Sequence, residues 1–135
     1  MMQFRHIRTL SSNFKTEGTG RFTHRVVALA WSPNGYRLAV ALADRNVYLF
    51  DERFELMDRF PTKPADKTLN KNYSIRGLYF SPDSTRLAVA QSDDIVFVYK
   101  LGESWEERKT ICNKFYQQAS ATAHLPDHAV TSICW

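Results

Sequence analysis

Residues 26–51 recur, without a gap, forty-nine positions later as residues 75–100. The copies read VVALAWSPNGYRLAVALADRNVYLFD and IRGLYFSPDSTRLAVAQSDDIVFVYK, and ten of the twenty-six aligned positions are identical. A third copy starts at Val130 (VTSICW) and stops at Trp135, the last residue. Self-similarity at this period marks like units stacked side by side, each too small to bury its own apolar face. Any fold inferred for one copy must therefore serve the other.

The unit has the chemistry of strands. Residues 26–31 are a short apolar run, followed by Ser32-Pro33-Asn34-Gly35. Pro33 presets φ for a turn and Gly35 tolerates φ > 0. Residues 37–43 form a second apolar run, and 46–50 alternate and are rich in Val, Tyr and Phe. Residues 43–45 are short enough for a hairpin connection. A fourth strand is predicted at 55–60 and its counterpart at 109–115. Four antiparallel strands per unit of about 40–50 residues is the pattern of a propeller blade. The runs LAVALA and LAVAQS are apolar on both faces, as suits strands covered on both sides. The expected fold is therefore all-β: a β-propeller fragment of two four-stranded blades plus the first strand of a third. The second unit should show an apolar face where a third belongs, drawn from Leu87, Val89, Val96 and Val98. A β-sandwich of two duplicated sheets is the alternative. The third partial copy argues against it, because a closed sandwich needs no third unit.

The stretches SPNGYRLAVALAD and SPDSTRLAVAQSD, each with an aromatic six residues after its Asp, resemble the WD40-repeat family. The resemblance places Asp44 and Asp93 at that family's structural turn position. Phe50 and Tyr99 stand for the Trp of its Trp-Asp pair, and Asp51 keeps the Asp. Neither unit carries the preceding Gly-His, so the family's polar tetrad is incomplete. A narrower set of words is similar to the N-terminal propeller of the largest-subunit family of intraflagellar transport complex B. These words are FRHIRTL (4–10), TKPADK (62–67), FSPDST (80–85), VYKLGESW (98–105) and TICNKF (110–115). The chain departs from that family at 11–24, which is longer and more basic, and at 119–128, where residues are inserted. The resemblance implies a non-catalytic scaffold needed for cilium or flagellum assembly. It implies partners among the other complex B subunits, a calponin-homology subunit included, and contact with an anionic membrane. The implied locations are the cytoplasm, the cilium or flagellum and its basal body. The alternative function is a membrane-surface-binding propeller of a cytosolic trafficking coat.

Residues 1–25 are predicted to hold a strand (4–10) that closes the last blade of a ring, then a linker. Residues 26–74 are the first unit with a basic loop at 61–74. Residues 75–129 are the second unit with an insertion at 116–129, and 130–135 open a third. Two and a fraction blades do not close a ring, so the expectation is the start of a longer protein.

The formal net charge is +4. Much of the excess lies in Arg5, Arg8, Lys15, Arg21 and Arg25, and in Lys63, Lys67 and Lys71 of the 61–74 loop. Such mild basicity suits an acidic protein or an anionic membrane surface, and equally a solvated loop. No Lys/Arg run is dense and no RNA-binding aromatic signature is present, so no nucleic-acid partner is expected. Arg5, His6 and Arg8 occupy the place where a secretory signal would have its apolar core. With no membrane-length apolar run either, a cytosol-like compartment with reduced Cys112 and Cys134 is expected.

Catalytic and cofactor motifs are missing from the sequence. None of the five glycines forms a GxGxxG or GKS/T, and GxSxG and HExxH are absent. No enzyme activity, cofactor or metal is expected. Cys112, His124, His128 and Cys134 are the right elements for zinc. Pro126 lies between the histidines, however, and the cysteines fall on different predicted strands. Asp93-Asp94 has Asp44-Arg45 as its twin, so only the first acid repeats. Asp44 and Asp93 are therefore expected to pin their own hairpins through backbone N–H groups. Trp105 lies in the polar turn GESWEE and is predicted either to fold back on the following strand or to anchor a partner. The candidate contact residues are Lys63, Lys67, Lys71 and Trp105.

Overall fold

The computed structural model describes Gln3, Arg5 and residues 24–68, 72–116 and 132–135. These form eight strands: β1 (Val26–Trp31), β2 (Leu38–Leu42), β3 (Asn46–Phe50), β4 (Leu56–Pro61), β5 (Ile75–Phe80), β6 (Arg86–Gln91), β7 (Ile95–Lys100) and β8 (Thr110–Tyr116). They pair as two antiparallel sheets in the orders β1-β2-β3-β4 and β5-β6-β7-β8. Each repeat is thus one four-stranded meander, with strand bounds close to those predicted. The expected third-unit strand at 130–135 does not appear in its described part, 132–135. The closing strand at 4–10, save Arg5, residues 117–129 of the insertion and residues 130–131 of the third copy lie outside the described residues.

The repeated turn is built by the same bonds in both copies. Ser32 Oγ donates to Asn34 Oδ1 at 2.7 Å and accepts from Arg37 N at 2.9 Å. Ser81 Oγ donates to Asp83 Oδ1 at 2.6 Å and accepts from Arg86 N at 3.0 Å. The next position needs a left-handed backbone, which Gly35 (φ 76°) adopts at no steric cost and Ser84 (φ 64°) also adopts. The hairpins after β2 and β6 likewise place Arg45 (φ 70°) and Asp94 (φ 61°) in the left-handed region.

The two sheets pack face to face through one shared core. The first sheet turns its small side to the second: Ala28, Ala30, Ala39, Ala41, Val47, Leu49 and Phe60. The second answers with its large side, where Leu78, Phe80, Leu87, Val89, Ile95, Phe97 and Tyr99 are buried. Alanines in central strands let the sheets approach, and the aromatic and branched residues fill the gap. Register therefore corrects one expectation. Leu87 and Val89 point into the inter-sheet core, not toward the side where a third unit would sit. Alternation assigns that side Ala88, Ala90, Val96 and Val98 instead, with Val96 half-buried and the rest buried. On the far side of the first sheet, Leu38, Val40, Leu42, Tyr48 and Phe50 form a second buried cluster.

Candidate functional site

The strands run between two ends of the sheet pair, and each end carries its own constellation. At one end lie the hairpins after β2 and β6 and the loop between β4 and β5. Asp44 behaves as its position requires: Oδ1 accepts from Asn46 N at 3.0 Å and Oδ2 from Asn46 Nδ2 at 2.8 Å. His24 Nδ1 stands 3.8 Å from Asp44 Oδ2. Asp93 bonds otherwise. Its Oδ2 accepts from Ala65 N at 2.7 Å, across the sheet junction, and its Oδ1 from Gln91 Nε2 at 3.1 Å. Gln91 Nε2 also donates to Lys63 O at 2.9 Å. Two exchanges between the repeats account for this. Asn46, which tethers Asp44, is replaced by the buried apolar Ile95; Leu42 is replaced by Gln91, whose amide draws Asp93 toward the loop. Asp44 thus bonds within its own hairpin, whereas Asp93 bonds the basic loop of the neighbouring unit.

Lys63 and Lys67 stand exposed on that fastened loop. They line a cleft of about 540 Å³ with Arg45, Pro61, Pro64 and Tyr73. Arg45 lies over the Tyr73 ring at 4.9 Å, and Thr62 Oγ1 donates to Arg45 O at 2.8 Å. The wall of the cleft is therefore set by the fold, while the two ammonium groups project from it. Lys71 lies outside the described residues.

The opposite end carries the repeated Ser-Pro turns and the loop between β7 and β8. Here Arg37 of the first unit is buried against the second. Its Nη1 donates to Gly102 O at 2.6 Å and its Nη2 to Ser104 O at 3.1 Å, with the Trp105 ring centroid 4.8 Å away. The loop is preorganised for this. Gly102 takes a left-handed φ of 77°, and Glu107 Oε1 accepts from Glu103 N (2.8 Å) and Ser104 N (3.2 Å). Those backbone bonds hold the Glu107 carboxyl below its ordinary range, with smaller help from Lys100 and Arg37. Burial pulls the Arg37 guanidinium below its usual value, against the opposing pull of Glu107. Beside it, Asn34 N donates to Ser84 Oγ at 3.1 Å, joining the two repeated turns. At the outer edge Lys109 pairs with Asp58 and lies over the Phe60 ring at 4.4 Å.

The candidate contact residues are thus split between two ends. Lys63 and Lys67 share one; Trp105 is at the other, half-buried between Arg37 and the core. The Trp105 ring lies against Arg37 of the preceding unit and packs on the shared core. Sequence reasoning missed Arg37 and Gln91. Arg37 had a visible signal, since an Arg recurs at the same place in both repeats beside a buried apolar run. Gln91 broke the repeat at a position where its twin is Leu42. Among the described residues no group of three His, Cys, Asp or Glu side chains could hold a metal ion. Cys112 is exposed, with Sγ 3.4 Å from Val98 O; His124 and His128 lie outside the described residues.

Comparison with known proteins agrees with this architecture. A family model described as WD domain, G-beta repeat (WD40) matches residues 8–51 and 66–100. The chain is 47% identical over 122 residues to the intraflagellar transport protein 172 homolog of Mus musculus, covering 90% of this chain and 7% of that protein. It is 55% identical over 123 residues to the Drosophila melanogaster homolog, covering 90% and 7%. Against intraflagellar transport protein osm-1 of Caenorhabditis elegans the identity is 46% over 99 residues, covering 73% and 6%. The chain therefore spans about 7% of the length of the first of these relatives. Among solved structures, the β-propeller domain of Cps50 (Swd1) from Myceliophteria thermophila superposes with a TM-score of 0.55 at 15% identity, covering 70% of this chain and 29% of that one. At that identity the likeness is one of fold.

Proposed function

The chain belongs to the WD40-repeat family, and from that premise we propose that it is a non-catalytic, protein-binding propeller segment of an intraflagellar transport complex B subunit. One observation carries the reading. Relatives from mouse to nematode, 47% identical over 122 residues and 46% over 99, are named as intraflagellar transport proteins. The geometry is compatible: both ends of the described sheet pair are built by structural hydrogen bonds, and the exposed charge is held on a fastened loop. The partners are other complex B subunits, the calponin-homology subunit among them. The place of action is the cytoplasm, the cilium or flagellum and its basal body, in cilium assembly. Lys63, Lys67 and Lys71 are the proposed contacts, and Trp105 contributes through the loop it anchors.

The test is co-elution of the purified protein with recombinant complex B subunits. We expect a stable complex with at least one subunit, weakened by Lys63→Glu with Lys67→Glu. Failure to co-elute with any of them would overturn the reading. The basic loop supports a second reading, contact with an anionic membrane surface. Salt-sensitive flotation with anionic vesicles, lost in the same double variant, would favour it over the first.

A further inference from the structure

The clasp on Arg37 runs through the backbone of one serine. Ser104 O accepts from Arg37 Nη2 at 3.1 Å, and Ser104 N donates to Glu107 Oε1 at 3.2 Å. The side chain takes no part. Ser104 is exposed and, among the described residues, its hydroxyl makes no hydrogen bond. Three other described serines and threonines have unbonded hydroxyls: Ser74, Thr110 and Ser132. None of these is followed within three residues by an acid, whereas Ser104 is followed by Glu106 and Glu107 at the second and third positions. Both acids are exposed, and Glu107 uses only Oε1 in capping the turn.

We propose that Ser104 is a phosphorylation site for an acid-directed serine kinase, and that a phosphoryl group there unfastens the clasp on Arg37. An acid-directed kinase reads carboxylates after its serine, and this loop presents two beside a free hydroxyl. In the transfer, Ser104 Oγ bonds to the γ-phosphorus of a nucleoside triphosphate. The bond to the diphosphate leaving group breaks, and the hydroxyl proton passes to the kinase's base. The product carries an added charge of about −1.5 to −2 at neutral pH. That charge arrives where carboxylates already crowd. Glu107 caps the N–H of Ser104 itself, and Glu52, Asp83 and Glu103 line the adjoining cleft of about 660 Å³. The cations acting on Glu107 are Lys100 and Arg37. Arg37 is only 5% exposed, and its Nη1 and Nη2 are committed to the carbonyls of Gly102 and Ser104. Repulsion therefore dominates, and Glu107 leaves the amides of Glu103 and Ser104. Without that cap the two carbonyls no longer hold the guanidinium, and the Trp105 ring is released from it. The twin arginine of the second unit, Arg86, is exposed, so among the described residues this control acts at one junction only.

The test incubates the purified protein with magnesium, ATP and an acid-directed kinase of the casein kinase II type, read by peptide mass spectrometry. One phosphoryl group should appear on Ser104. Glu107→Gln keeps an oxygen acceptor for the cap but removes the charge, and should slow the transfer about tenfold. Amide exchange at Glu103 and Ser104 should then quicken about tenfold in the phosphorylated protein. No phosphate on Ser104, while a control peptide is phosphorylated, would overturn the site. Transfer undiminished in Glu107→Gln would overturn its acid-directed recognition. Unchanged or slower exchange at both amides after phosphorylation would overturn the unfastening, and slower exchange would mean that the phosphate joins the clasp through Arg37.

Discussion

The two repeat units begin with the same turn, the same run of Leu-Ala-Val-Ala and the same hairpin acid, yet their equivalent residues do different work. Leu29 and Leu78 are identical in type and in repeat position, but Leu29 is 62% exposed and Leu78 5%. Trp31 is exposed where its twin Phe80 is buried. The difference lies in what packs on each. The large side of the second sheet rests on the alanines of the first, whereas β1 shows its large side at the rim. Likewise Asp44 serves its own hairpin and Asp93 the loop of its neighbour. Repetition thus supplies the same surface twice, and position in the stack decides whether it becomes core, clasp or rim.

This comparison is most sharply tested by matched substitutions. Leu78→Ala should cost about 2–5 kcal/mol by leaving a cavity in the shared core, and Leu29→Ala no more than about 0.5 kcal/mol. Urea midpoints of the two variants measure the contrast, and equal effects would mean that the sheets do not share one core in solution. Next, Arg37→Ala should cost about 1.5–3 kcal/mol, the range for hydrogen bonds to a charged group, while Arg86→Ala stays near neutral in this chain. Gly102→Ala should then cost about 1–2 kcal/mol for its left-handed φ and more for collision, since a Cβ there would stand 2.2 Å from the Glu107 carboxylate. Gly35→Ala meets nothing within 4 Å and should show the φ cost alone, in thermal melts of both proteins.

Smaller effects separate the hairpin acids. Asp93→Ala should cost about 1 kcal/mol and raise amide exchange at Ala65, 28 residues away in sequence. Asp44→Ala should raise exchange at Asn46 instead. Exchange unchanged at Ala65 in the first variant would deny Asp93 its part in fastening the basic loop. The smallest effect is one of pH. Asp83 is held at about 2, first by the Ser81 hydroxyl and then by the Thr85 amide and hydroxyl, whereas its twin Asn34 does not titrate. A lowered carboxylate stabilises above its ordinary value of 3.8, and that contribution is lost as pH falls toward 2. Asp83→Asn should therefore remove one component of the acid loss in that window, seen as a shallower fall of the urea midpoint.

The fold was legible in the chain because its signals are local. Ser-Pro-Asn-Gly and Ser-Pro-Asp-Ser set the turns through bonds spanning two to five residues, and alternation of Val, Tyr and Phe set the strands. Repetition then fixed that two such sheets stack. Much of the site was not legible, since its bonds cross between the units. Arg37 reaches Gly102 over 65 residues, and Asp93 reaches Ala65 over 28. No periodicity announces which of two equivalent arginines will be covered, or that a glutamine as the twin of Leu42 will draw an acid toward the neighbouring loop. Leu87 and Val89 were readable as sheet-facing apolar residues, but the side of the sheet they face follows only from ladder register. The elements follow from the chain alone, because turn geometry and side-chain alternation are properties of neighbouring residues. Which of two like residues does which task follows from packing, because burial depends on what the opposite sheet brings.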